Sequence, residues 1–237
     1  DPEISALAAS LGRQLLDVRM APSELPVASG KVMDACQAYV VLTVGSDCSV
    51  GKMTTSLEIQ KSALKRGIKA GFVATGQTGI MICGRGIAVD RVIGDFMAGA
   101  VEQMVLESGQ ANDLVLVEGQ GSLIDPGFSG VTLALLHGAC PQAMVLCHKA
   151  DRKKVRGTDF EVPSLATLVL LYEKMALCMR PAKVVAVAVN TVGLNDRQAD
   201  DYLKEIAAQT GLPSCDPVRH RGDLLLDAIL DHEAKHK

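Results

Sequence analysis

The sequence predicts a three-layer α/β fold, a doubly wound and mostly parallel sheet covered by helices on both faces. Two observations carry this. Five short runs are apolar almost throughout: YVVLTV (39–44), AGFVA (70–74), LVLV (114–117), AMVLC (143–147) and VVAVAV (184–189). Runs without alternation belong to strands buried on both faces. Between them lie helical patterns, so strand and helix alternate as parallel crossover connections require. Composition agrees: of 237 residues 48% are hydrophobic, only 3% are aromatic and none is Trp, so the core must be aliphatic. The length suits one substantial domain or two small ones.

Taken in order, residues 1–38 read as one short helix and an extended connector, DVRMAPSELPVASG, set apart from an α/β domain over 39–237. After the first run, a helix over 53–66 places Met53, Leu57 and Leu64 on one stripe. Residues 91–107 repeat apolar pairs four apart: Val92/Ile93, Phe96/Met97, Ala100/Val101 and Met104/Val105. The helical segment 163–179 opens with Pro163 at a first helical position. A further helix over 196–211 ends in Gly211, and a last one covers 222–235.

A net charge of −3 and a pI near 6.0 give no sign of a nucleic-acid binder. No apolar run reaches membrane-spanning length and no signal peptide opens the chain, so a cytoplasmic protein off the membrane is expected. The seven cysteines are scattered, form no CxxC pair and fall partly inside apolar runs. Reduced thiols are expected, and neither a disulfide framework nor a metal site.

In folds of this kind ligands gather at the carboxyl ends of the strands. The loop after the first run, Gly45 to Lys52, reads G-x₅-G-K. It is one residue longer than the common G-x₄-G-K-[ST] form, with the same physics. Backbone N–H groups of Ser46, Asp47, Cys48, Ser49, Val50 and Gly51 and the helix beginning at Lys52 form an anion cradle, and the Lys52 ammonium adds a point charge. Cys48 belongs to the cradle through its backbone.

The residue after the lysine normally supplies a hydroxyl to Mg²⁺; here it is Met53, whose thioether is a poor ligand for a hard cation. Thr54 follows, turned roughly 100° around the helix. Either Thr54 is recruited by a shifted helix start, or the loop grips phosphates without conventional Mg²⁺ chemistry. The second option favours a pyrophosphate that is held and not transferred, such as that of coenzyme A.

The spacing of this loop resembles dethiobiotin synthetase and related P-loop NTPase-like proteins. LVLVEGQGS (114–122) is similar to the segment whose glutamate approaches magnesium there, which implies that role for Glu118. VAVNTVG (187–193) resembles the segment near the nucleotide base, which implies that Asn190 and Thr191 border an adenine. A closer resemblance covers nearly the whole chain through VGSDCSVGKMTT, FVATGQTGIMICGRGIAVD, DFMAGAVE, VEGQGSLIDPGFSGVTLALLHG and VLCH. On these motifs the chain is identified as a member of the D-glutamate N-acetyltransferase (DgcN-type) family, in which the methionine after the lysine is part of the pattern. Members carry a further Rossmann-like N-terminal domain, so the resemblance implies that 1–38 is the remnant of a missing domain.

The resemblance implies acetyl transfer from acetyl-CoA to the amino group of D-glutamate, the P-loop gripping the coenzyme phosphates. That chemistry needs a base, oxyanion stabilisation and groups to hold two carboxylates. Lys52 supplies charge, and Glu118, His148 and Asp47 are rival bases. Thr75, Gln77 and Thr78 follow the second strand, and Ser122 and Ser129 lie in the long loop 119–132. His148 stands directly after the fourth strand, whereas His137 reads as a helix-end residue. The basic run DRKKVRG (151–157) offers Arg152 and Arg156 to a carboxylate or phosphate. A homo-oligomer is expected. The alternative is an ATP- and Mg²⁺-dependent ligase or kinase of dethiobiotin-synthetase type; a partition-ATPase-like switch ranks last, because the loop lacks the additional lysine of that class.

Overall fold

The structure, a computed structural model, describes residues 1–236. In chain order its elements are α1 (Pro2–Ser10), α2 (Val32–Ala35), β1 (Tyr39–Gly45), α3 (Lys52–Lys65), β2 (Ala70–Val73), α4 (Gln77–Cys83) and α5 (Gly94–Gly109). There follow β3 (Leu114–Val117), α6 (Ser129–Ala139), β4 (Ala143–Lys149), α7 (Leu165–Ala176), β5 (Lys183–Asn190), α8 (Asp196–Thr210), β6 (Ser214–Cys215), α9 (Pro217–His220) and α10 (Asp223–His236). The six strands form one parallel sheet in the order β2-β3-β1-β4-β5-β6. β1 lies between β3 and β4, where the strand order reverses, so the crevice above its carboxyl end is the natural ligand site.

The predicted architecture is the observed one. Side chains of β1 alternate between two cores, as the strand period of two dictates. Val40, Leu42 and Val44 pack with Val101 and Val105 of α5, Leu135 and Leu136 of α6 and Leu168 and Tyr172 of α7. Tyr39 and Val41 pack on the other side with Ile59 and Ala63 of α3 and Leu225, Leu226 and Ile229 of α10. Both faces are thus covered by apolar side chains, which is why the strands are apolar almost throughout. Among the described residues no helix is long and apolar enough to cross a membrane.

Local expectations shift where packing overrides pattern. Leu64, expected on the core stripe of α3, is 53% exposed. The buried face is instead Thr55, Ser56, Ile59, Ser62 and Ala63, mostly small residues that let the helix lie close to the sheet. Pro163 does not open α7: Ser164 caps the helix, its hydroxyl accepting from the Thr167 N–H at 3.2 Å. The pairs expected over 91–107 hold from Ala100 onward, but Ile93 precedes α5 and is exposed. Ser129 and Gly130 lie in the first turn of α6, so the loop after β3 ends at Phe128. The two-residue β6 had no detectable run of its own.

The connector ahead of β1 is held down by α5. The carbonyl of Pro26 rests on Gly99, where no Cβ would fit. Ser29 then donates to Glu102 Oε2 from its N–H at 2.8 Å and from its hydroxyl at 3.1 Å.

Candidate functional site

The phosphate-type loop leaves β1 at Gly45 and stays anchored to β4, the Ser46 N–H donating to Cys147 O at 2.9 Å. Positive φ angles at Ser49 (57°) and Gly51 (110°) curl the chain into the start of α3. The Lys52 side chain arches back over Gly45, whose missing Cβ would lie 2.8 Å from Nζ. Nζ donates to the Asp47 carbonyl at 2.8 Å. Lys52 is only 7% exposed, and burial lowers its pKa against the opposing pull of nearby thiols and carboxylates. An ammonium so held gains from any anion that settles on the loop.

Glu118, at the end of β3, faces the same space. Its Oε2 accepts the N–H groups of Thr75 (3.0 Å) and Gly76 (3.1 Å), and its carbonyl accepts the Thr75 hydroxyl at 2.8 Å. Burial pushes its pKa up, more than the two N–H groups and the Lys52 charge pull it down. Gly119 next to it presses on the Thr43 carbonyl and admits no side chain.

A cavity of about 600 Å³ opens over these groups. Of the residues singled out in the sequence it is lined by Cys48, Ser49, Gly51, Lys52, Met53, Thr54, Gln77, Thr78, Glu118 and Asn190. Gly76, Met81, Asp90, Gly119, Gln120, Gly121 and Phe128 complete it; the glycine-rich GQG turn after Glu118 was the available signal for three of these. A neighbouring cavity of about 470 Å³ shares Gly51, Thr54 and Asn190 and is walled by Val50, Val192, Pro217 and Val218.

Other expected residues serve the frame. Asp47 is buried and turned from the cavity: Oδ1 accepts the Cys48 N–H at 2.7 Å, and Oδ2 accepts the Arg156 N–H at 2.8 Å and pairs with the Arg152 guanidinium. Buried and bonded on both oxygens, Asp47 does not line the cavity, and it commits Arg152 to itself. Arg156 keeps its guanidinium at the loop mouth, donating to Ser49 Oγ at 3.0 Å. His148 lies below the loop, Nδ1 bonded to Ser46 Oγ at 2.8 Å and Nε2 to the Tyr202 hydroxyl at 3.1 Å. Burial, then the Arg152 charge, pushes its pKa down to about 4, so it is neutral and a weak base near pH 7.

Thr191 is also internal: its N–H (3.0 Å) and hydroxyl (2.5 Å) both donate to Asp216 Oδ2. Asp216, after the short β6, escaped the sequence reading and lines the second cavity. Ser122 is fully buried, and Ser129 heads α6; neither lines the main cavity. Cys48 donates from Sγ to Asp125 Oδ2 at 3.2 Å. Burial and that bond push its pKa up to about 11, so it is a thiol at neutral pH. Asp47, Cys48 and Asp125 converge within 4.8 Å of one another, each already engaged as described.

Residues 26–226 match the profile of the DUF1611 domain of unknown function, described as a P-loop domain. The chain belongs to the DUF1611 family. This DUF1611 chain is 43% identical, over 97% of its length and 68% of the relative's, to a Tritonibacter scottomollicae protein named D-glutamate N-acetyltransferase. A Pseudoalteromonas protein of the same name is 37% identical over 94% of this chain and 67% of its own. The crystal structure of a DUF1611 family protein from Anabaena variabilis superposes with a TM-score of 0.90 at 42% identity, over 93% of this chain. The DUF1611 chain spans 65% of that protein's length and about two thirds of the two curated relatives.

Proposed function

We propose that this chain transfers acetyl from acetyl-CoA to the amino group of D-glutamate. The observation that carries the reading is 43% identity across almost the whole chain to a protein named for that activity. The loop supports the choice of coenzyme: the cradle and Lys52 suit a diphosphate, while Met53 replaces the hydroxyl that a transferred phosphate's Mg²⁺ would use. The two cavities meet at Gly51, Thr54 and Asn190. A diphosphate over the loop can send its adenine between the apolar walls of Val192 and Val218 and its thioester arm toward Glu118.

In this reading Glu118 is the base, because burial brings its pKa nearer the operating range. The substrate nitrogen attacks the thioester carbonyl, the C–N bond forms and the C–S bond breaks. The proton lost by nitrogen passes to Glu118 and the departing thiolate is protonated in turn. Gln77, Thr78 and Arg156 are assigned to the acceptor's polar groups, and His148 and Asp47 to holding the loop.

Calorimetry with acetyl-CoA, CoA and Mg-ATP on the wild type and Lys52→Ala tests the grip. Acetyl-CoA binding is expected, weakened on the order of 10–100-fold by the substitution, as befits one charge-assisted contact. Tight Mg-ATP binding with none for CoA would replace this reading with that of an ATP-dependent ligase or kinase. Thiol release with D- against L-glutamate tests the acceptor, and absence of transfer to D-glutamate would remove it.

A further inference from the structure

The end of α10 reads His232-Glu233-Ala234-Lys235-His236, two histidines one turn apart on one helix face with a glutamate after the first. They stand beside Tyr39, the first residue of β1, at the amino-terminal end of the sheet opposite the phosphate-type loop. Gln37, Tyr39, Gln142, His232, Glu233 and His236 line a cavity of about 260 Å³ there. Nothing in the proposed acetyl transfer uses it.

The hydrogen bonds of the two rings point one way. His236 Nδ1 bonds to the His232 carbonyl at 2.7 Å. A carbonyl only accepts, so the proton sits on Nδ1 and the Nε2 lone pair is left over. His232 Nδ1 bonds to the Tyr39 hydroxyl at 2.5 Å. Burial, and then the Glu233 charge, raises the pKa of that phenol, and as a neutral hydroxyl it can accept the Nδ1 proton and set the same tautomer. His232 Nε2 is buried and has no hydrogen-bond partner among the described residues.

Metal-binding imidazoles are built this way, with one ring nitrogen held by an oxygen and the other left for the ion. The two rings stack at a centroid distance of 4.0 Å and an interplanar angle of 23°. Nitrogens sharing a tetrahedral zinc lie about 3.3 Å apart, given bonds of about 2.0–2.1 Å. Stacked rings hold their in-plane lone pairs nearly parallel, so binding requires the exposed His236 ring to splay from His232 until both Nε2 atoms converge on the ion.

We propose that His232 and His236 chelate one divalent transition-metal ion, zinc or a neighbour in the series, through their Nε2 atoms, with water filling the remaining positions. Imidazole pairs suit such ions and not Mg²⁺ or Ca²⁺. Because His232 is bonded to Tyr39, the ion would fasten the end of α10 to the start of β1.

The test uses the chain without a polyhistidine tag, stripped with chelator and dialysed. Co²⁺ titration followed by visible absorption, and Zn²⁺ titration by calorimetry, should give saturable binding at one ion per chain. His236→Gln and His232→Gln should each weaken it at least about tenfold, and Tyr39→Phe by about tenfold through loss of the supporting bond. The wild-type unfolding midpoint should rise with zinc concentration, while that of His236→Gln, altered only at an exposed side chain, should not. Absence of saturable binding would overturn the proposal. So would undiminished binding by His236→Gln, which would move the ion to Asp47, Cys48 and Asp125.

Discussion

Gly79 is where the geometry around Glu118 makes its sharpest demand. A methyl group there would lie 3.2 Å from the Glu118 carboxyl carbon and closer still to Oε2, with the Ala74 methyl at 3.1 Å. The carboxylate has no room to retreat, being 6% exposed and tied to the Thr75 and Gly76 N–H groups at 3.0 and 3.1 Å. In an unconstrained helix Gly→Ala stabilises by about 0.5–1 kcal/mol. Gly79→Ala should do the opposite here. Displacing the carboxylate loses two charge-assisted hydrogen bonds of about 1.5–3 kcal/mol each, and the net cost after the helix gain is about 2–5 kcal/mol.

Urea denaturation of the wild type, Gly79→Ala, Glu118→Ala and the double variant provides the assay, through midpoints at constant slope. With the carboxylate removed, Gly79→Ala should become neutral or stabilising, giving a coupling of at least about 1 kcal/mol. A Gly79→Ala protein as stable as the wild type, or an additive cycle, would refute the clamping of Glu118 against α4. Acetyl transfer should fall in the single variant, because the proposed base is the group displaced.

Three further outcomes follow from the frame around the loop. The native His148 pKa of about 4 lies below the ordinary 6.5, so the unfolded chain takes up a proton that the native state refuses. Stability should therefore drop by roughly 3 kcal/mol as pH falls from 6.5 to 4, and His148→Gln should flatten that slope in pH-resolved urea titrations. Tyr172 donates to the Gly45 carbonyl at 2.7 Å and accepts the Leu123 N–H at 3.3 Å, so Tyr172→Phe should cost about 1–3 kcal/mol by denaturation and loosen the ligand grip. Arg152→Ala leaves the buried Asp47 without its cation and should destabilise by about 3–5 kcal/mol, with Asp47→Asn in the same chain recovering much of the loss; equal instability of the double variant would contradict the pairing.

The layered fold was legible because strands buried on both faces have almost no freedom in composition. Val40 to Val44 and Val184 to Val189 announce themselves, whereas β6, two residues long, leaves no periodicity to read. The same short strand hid Asp216, which fixes Thr191 and walls the second cavity. The cavity floor was legible because a phosphate-type loop is a contiguous backbone motif. Side-chain direction was not: His148 and Asp47 stand at the predicted edge, yet each points away from the cavity, since their partners come from Tyr202, Arg152 and Arg156, 54 to 109 residues away in sequence. Leu64 failed for a related reason, because helical spacing defines a stripe and tertiary packing decides which stripe faces inward.

Asp47 makes sense of the basic run after β4. A carboxylate in the middle of an anion cradle would oppose a phosphate unless its charge were cancelled. Arg152 and the Arg156 N–H perform that cancellation on the side of the loop away from the cavity. With Oδ1 accepting the Cys48 N–H, Asp47 also fixes the loop backbone before any ligand arrives, while its carbonyl holds the Lys52 ammonium at 2.8 Å. Arg152 therefore acts through the loop and not on the substrate, while Arg156 keeps its guanidinium at the mouth. A loop fixed in this way before a ligand arrives has little left to reorganise on binding. That is the physical sense in which a methionine at position 53 is compatible with the diphosphate grip proposed for this loop.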